Sequence, residues 1–220
     1  MPYDLTDPKD RQRAWSDYLW KDHGILRQRF SNMHEVGGGM WRSNQPSPQR
    51  LEQLAKKGFR TILNIRGTQP GVCYYDLEKE ACDRLGLTMI DMPFGSREAP
   101  YVDRIQRAAK IFETIEYPAL IHCKSGADRA GLISVIYRLA RLGLPYEEAI
   151  EHLSLKYLHV KAGKTGVLDH FFESYRAYAE HTPIGFMDWV ETVYDRDQVQ
   201  SSFMSSWWGN MLTERVLRRE

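Results

Sequence analysis

Residues 118–142 hold the feature that most narrows what this chain can become. A short apolar strand spans residues 118–122, a compact turn with Gly126 inside it follows, and a helix covers residues 129–142. Ile133, Val135, Ile136, Leu139, Ala140 and Leu142 make that helix apolar almost all round. A helix of that kind belongs in the interior. A strand that turns directly into a buried helix is the repeating unit of a layered α/β sheet.

The rest of the chain reads in the same alternating way. A helix is expected over residues 11–20, then a loop in which Gly37, Gly38 and Gly39 make a flexible turn, then a short strand at residues 40–42. Ser47 suits an N-cap and Pro48 the first helical position, so a helix runs to Lys57 and stops at Gly58. Residues 59–65 and 87–92 read as buried strands, separated by a helix over residues 74–85 that Gly86 ends. Pro93, Gly95 and Pro100 break the chain into a loop. Ile105, Ala108, Ala109, Phe112 and Ile115 then recur at helical spacing over residues 102–116. Further helices begin at Pro145 and span residues 166–180. The expectation is an α/β fold with a central, mostly parallel sheet flanked by helices. It divides into an N-terminal helical extension (1–39), a main domain (40–180) and a C-terminal helical extension (181–220). The apolar stripes of that last segment (Trp189, Val190, Val193 and Tyr194, then Trp207, Trp208, Met211, Leu212 and Val216) are expected to pack on the chain's own core. A partner or a membrane surface is the alternative.

Charge removes several function classes. Thirty basic residues face twenty-nine acidic ones for a net charge of +1. That balance gives no case for nucleic acid, whose binding domains usually carry a basic excess. Three cysteines, Cys73, Cys82 and Cys123, are too few for a disulfide framework, and no Cys/His spacing suggests a metal. The charged N-terminus lacks the apolar stretch of a secretory signal, and no apolar run is long enough to span a membrane. A cytoplasmic protein without a cofactor is expected. Gly163-Lys164-Thr165 resembles the end of a nucleotide-binding loop, but Leu158 stands where the pattern needs glycine. His152, His159, His170 and His181 lack ligand spacing and read as surface or packing residues.

Chemistry concentrates in the turn Cys123-Lys124-Ser125-Gly126-Ala127-Asp128-Arg129. Its cysteine stands at the carboxyl end of a strand, where ligands bind in open α/β sheets. Successive backbone N–H groups in such a turn form an anion nest, and the helix N-terminus adds positive potential. Arg129 supplies a planar fork that matches two phosphate oxygens. The same field favours the thiolate of a cysteine placed there, the form that attacks phosphorus. Neither other cysteine has an arginine six residues on: Cys73 is followed by Lys79 and Cys82 by Thr88.

His122 to Gly131 resembles the signature of cysteine-dependent protein tyrosine phosphatases, most closely the dual-specificity-like branch with its bacterial members. The likeness extends upstream through Trp41-Arg42-Ser43-Asn44-Gln45-Pro46-Ser47 and Ile62-Leu63-Asn64-Ile65-Arg66-Gly67. It implies a phosphocysteine intermediate on Cys123 and a phosphate held by Arg129 with the loop from Lys124 to Asp128. His122 would order the loop. An aspartate on a separate loop would protonate the leaving group, and Asp91, thirty-two residues before Cys123, occupies the family's usual place. Glu98, Asp103 and Asp128 are its rivals. The resemblance implies either a phosphotyrosyl protein or an inositol phosphate or phospholipid as substrate. Two features depart from the pattern. Ala130 stands where a hydroxyl residue usually follows the arginine, and Asp128 puts negative charge beside the anion site. They keep open a phosphate-binding module of low turnover. A sulfur-transfer domain is a weaker rival.

Overall fold

The computed structural model describes residues 3–217, with side chains described through Trp208. Five strands form one sheet: β1 (His34–Gly37), β2 (Met40–Asn44), β3 (Thr61–Asn64), β4 (Thr88–Asp91) and β5 (Ala119–Cys123). Their order is β1-β2-β5-β3-β4. β2, β5, β3 and β4 run parallel, and only β1 is antiparallel to its neighbour. The anticipated α/β architecture is therefore present, with β5 at its centre.

Local chemistry accounts for the helices around it. In α3 (Pro48–Lys56) Ser47 caps the first turn by accepting from the Arg50 N–H at 3.3 Å, and Leu51 and Leu54 face inward. α4 (Cys73–Leu85) ends on Gly86 at φ +68°, a left-handed conformation glycine adopts without strain. α5 (Val102–Thr114) buries Ile105, Ala108 and Phe112 along one face. α6 (Asp128–Ala140) buries nine of its thirteen residues, as its nearly continuous apolar surface requires.

α3 and α4 cover one face of the sheet through Leu51, Leu54, Ile62, Ala81 and Leu120, and α1 (Pro8–Trp20) packs outside α4. α5 and α6 cover the other face. Behind them lie α7 (Tyr146–Ala149), α8 (Val167–Ala179), α9 (Phe186–Thr192) and α10 (Arg196–Leu217). Trp189, Val190, Tyr194 and Val199 are buried in that larger core, so the start of the C-terminal segment packs on the chain itself. The side chains of Met211, Leu212 and Val216 lie outside the described residues. No helix among the described residues is long and apolar enough to cross a membrane.

Two elements escape the periodicity argument. α2 (Gly24–Arg29) has only six residues, too few for a pattern to show. β1 buries only Val36, so it carries no alternation of apolar and polar residues. Gly37, Gly38 and Gly39, all at positive φ, form the tight connection between β1 and β2 rather than a loose turn.

The parallel strands end together. Asn44 lies opposite Cys123, and Asn64 opposite both His122 and Asp91. The carboxyl edge of the sheet thus collects Asn44, Cys123, Asn64 and Asp91 in a row.

Candidate active site

The turn after β5 has an asymmetric hydrogen-bond pattern. Every carbonyl from Lys124 to Ala127 is occupied: Lys124 O accepts from Gln45 N, and Ser125 O from the Asn32 side chain. Arg42 Nη2 donates to Gly126 O at 2.6 Å and to Ala127 O at 2.9 Å. The N–H groups of Lys124, Ser125, Gly126, Asp128, Arg129 and Ala130 find no protein acceptor among the described residues. Only Ala127 N has a partner, the Ser125 hydroxyl, at 3.4 Å. Buried backbone groups are nearly always paired, so a run of unused donors at a helix start is an anion-binding arrangement.

Gly126 makes the turn possible twice over. Its φ is +74°, and a Cβ there would stand 2.6 Å from Asn44 N and 2.7 Å from the Ser43 carbonyl carbon. Cys123 sits at the turn's origin, 2% exposed. Arg129, at its other end, is partly exposed, lines an open pocket and makes no hydrogen bond or ion pair among the described residues.

Around the turn is a buried polar scaffold. Arg42 is fully buried, stacks 4.5 Å from the centroid of Tyr157 and gives a third hydrogen bond to His152 O. Burial lowers its guanidinium to about 10, with Cys123 and Asp128 opposing that shift, so it stays charged at neutral pH. His152 beneath it is driven down to about 3 by burial and by the cations Arg42 and Arg138. It is therefore a neutral acceptor, as its 2.9 Å contact with Arg138 requires. On the opposite face, His122 Nε2 lies 2.7 Å from Glu78 Oε1, close enough for an ion pair but outside hydrogen-bond geometry. Gln45 donates to the other Glu78 oxygen and accepts from Arg66 at 3.1 Å. Asp22 then gathers Arg27 (2.5 Å), Arg66 (3.1 Å) and Lys124 (3.1 Å). Burial pushes the Asp22 carboxyl up, but these cations outweigh it and hold the group below its usual range.

The residues anticipated as acids are placed differently from one another. Asp128 turns away from the cradle: its Oδ1 lies 2.8 Å from His159 Nδ1, while His159 Nε2 lies 2.8 Å from Asp169 Oδ2. Its carboxylate is thus directed at His159, which it shares with Asp169, rather than into the cradle. Asp91 stands at the end of β4, separated from β5 by β3. It accepts from Asn64 (2.8 Å), Thr68 (2.9 Å) and Tyr75 (2.7 Å). Glu98 pairs with Arg196 of α10 at 3.4 Å and lies 3.8 Å from Arg104, and Asp103 is exposed in the first turn of α5. Ala130 is fully buried, and the next hydroxyl on its helix, Ser134, donates to Ala130 O rather than toward the sulfur.

His159 makes a checkable contribution. Burial lowers its pKa, but the two carboxylates outweigh burial and raise it from 6.5 to about 9. A raised cationic group stabilises the fold fully below the unfolded value and loses that contribution as pH rises through the folded one. Stability toward urea is therefore expected to fall between about pH 6.5 and about 9, by up to about 3 kcal/mol. His159→Gln should flatten that dependence; an unchanged slope would remove the imidazolium from the account.

Sequence reasoning missed Arg42, Gln45, Glu78 and Asp22 as site residues. Glu78 had left a signal, a carboxylate within the inward face of a helix that also buries Tyr74, Tyr75, Leu77, Ala81 and Cys82. Asp22 had none, because its partners come from three separate segments.

The family described as a dual-specificity-type protein tyrosine phosphatase (DSP-PTPase) fused to NAD+ kinase matches residues 27–165. The chain belongs to that family. Among curated proteins, this DSP-PTPase chain is 34% identical over 86 residues to a beta-lactamase hydrolase-like protein of Xylella fastidiosa. The match covers 38% of the chain and only 20% of that protein's length. It is 24% identical over 163 residues to inositol diphosphatase DSP4 of Arabidopsis thaliana, covering 70% of this chain and 77% of the other. Among solved structures, the core catalytic domain of the PP-IP phosphatase SIW14 from S. cerevisiae shares the DSP-PTPase fold. The TM-score is 0.51 at 16% identity, over 70% of this chain and 96% of that one.

Proposed function

We propose that the chain hydrolyses phosphate monoesters through a phosphocysteine intermediate. The observation that carries this reading is the run of unused N–H groups between Cys123 and Arg129, whose carbonyls are all held back. They cradle the three outer oxygens of a phosphoryl group, and Arg129 holds two of them in its fork. The Cys123 sulfur attacks phosphorus; an S–P bond forms as the ester O–P bond breaks. The leaving oxygen takes a proton, and Asp91, protonated from solvent, supplies it as the Thr68 and Tyr75 hydroxyls turn away from its Oδ2. Water then attacks phosphorus, its proton passes to the carboxylate, the S–P bond breaks and inorganic phosphate leaves. The family's name and the resemblance around His122 to Gly131 support the same reading.

A second reading, inositol phosphates as substrate, is favoured by the Arabidopsis relative named as an inositol diphosphatase. Both readings share the cradle and the sulfur. Acid quenching during turnover of a phosphotyrosyl peptide tests them together. The peptide carrying Cys123 should gain the mass of one phosphoryl group, and Cys123→Ser should gain none. In the same series, Asp91→Asn should slow an alkyl ester roughly 10²–10⁴-fold and an aryl ester with a good leaving group far less. Steady release of phosphate with no trapped adduct at Cys123 would defeat the proposed intermediate. Binding of the phosphopeptide without release of phosphate would instead favour a binding module.

A further inference from the structure

The pocket above the cradle joins a cationic floor to apolar walls. It is a cavity of about 550 Å³ lined by Asn44, Lys124, Ser125 and Arg129, and by Leu26, Phe30 and Leu158. Those last three side chains are 70%, 54% and 52% exposed, a large apolar surface beside an anion site. Nothing in the described fold covers them.

One of these three positions is held at a conformational cost. Leu158 has φ +66°, a conformation that a bulky L residue rarely adopts and that tends to mark functional sites. His23, which opens α2 and also lines the pocket, has φ 61°. Asn32 is the remaining non-glycine residue at positive φ among the described residues. Its side chain donates to Ser125 O and to Tyr157 O, tying the chain after α2 and the residue before Leu158 to the cradle. Two of the three positive-φ positions, His23 and Leu158, therefore line one cavity, and the third, Asn32, holds the backbone of Ser125, which lines it too.

The charges limit what fits. Lys124 and Arg27 both share Asp22, whereas Arg129 has no carboxylate partner among the described residues. One uncommitted guanidinium and one ring of amides match one phosphoryl group. Beyond the cradle a polyphosphorylated ring would meet Leu26, Phe30 and Leu158, which offer no donor, and the cations Lys124 and Arg27, which Asp22 already holds. A flat apolar ring carrying a single phosphate meets both surfaces correctly.

Resting on the phosphatase reading, we propose that Leu26, Phe30 and Leu158 are the specificity-determining wall of the site, selecting an aryl phosphate monoester over a polyphosphorylated polyol. Leu26 lies in α2 and Phe30 directly follows it, so the N-terminal segment is part of substrate recognition.

The test compares the wild type with the triple variant Leu26→Ser, Phe30→Ser, Leu158→Asn. All three side chains are exposed, and asparagine tolerates the left-handed conformation, so the melting temperature should hold. In a Cys123→Ser background, the triple variant should bind both free phosphotyrosine and a phosphotyrosyl peptide at least roughly tenfold more weakly. Tungstate, which fills the cradle alone, should bind equally to both. With Cys123 intact, KM for the aryl ester should rise by a similar factor while kcat holds within about twofold, and turnover of inositol hexakisphosphate should not follow it. Unchanged aryl binding in the triple variant, or a wild type that prefers inositol hexakisphosphate, overturns the wall. If the wild type releases phosphate from no ester, the phosphatase reading falls, and the binding measurements still judge the wall separately.

Discussion

Arg129→Lys is expected to lower kcat/KM by roughly 10³–10⁵-fold, the range for an arginine that stabilises a transferring phosphoryl group. Arg129 lies in the first turn of α6 at the open end of the cradle and makes no hydrogen bond or ion pair among the described residues. Lysine keeps the charge but delivers it as a point, without the planar fork that spans two oxygens. Because the guanidinium has no such partner to lose, the melting temperature should stay within about 1 °C. The informative result is that separation of activity from stability. A loss smaller than about tenfold would remove Arg129 from the reacting centre.

Arg42→Met is expected to do the reverse, acting first on the fold. Methionine keeps much of the apolar stem and removes the donors to Gly126 O, Ala127 O and His152 O. Ala127 O retains the Gly131 N–H, but Gly126 O and His152 O are left without a partner among the described residues. Orphaning buried acceptors of a charged donor should destabilise the protein by about 3–5 kcal/mol, which for a chain of this size lowers the melting temperature by roughly 10 °C. Whatever folds should also bind tungstate poorly, because the released carbonyls no longer hold the amides toward the anion. Calorimetry of unfolding and of tungstate binding checks both halves. A variant with wild-type values in each would show that the turn holds its shape without Arg42. The two arginines then separate cleanly, one acting on the phosphoryl group and the other on the backbone that surrounds it.

Much of the architecture was legible beforehand because its signals are local. Ser47-Pro48 marked the start of α3, Gly86 the end of α4, and the unbroken apolar surface of α6 its central position. The turn from Cys123 to Arg129 was legible for the same reason, since strand, glycine and helix follow one another directly in the chain. β1 and α2 were not, being four and six residues long with little pattern of their own. Asp128 shows the limit on single residues. Its charge was visible in the sequence, but its direction was not, and contact with His159, thirty-one positions away, points it away from the cradle.

By itself the sequence determined that a cysteine would end a central strand and that an arginine would stand in the first turn of the following helix. Those are relations between neighbours, governed by turn geometry and helix ends. Only the tertiary structure decided which way the turn's carbonyls point and what surrounds its mouth. Arg42 reaches Gly126 across 84 positions, and Asn32 reaches Tyr157 across 125. Hydrogen bonds and apolar walls of that kind exist only once distant segments are packed together, and no local pattern records them.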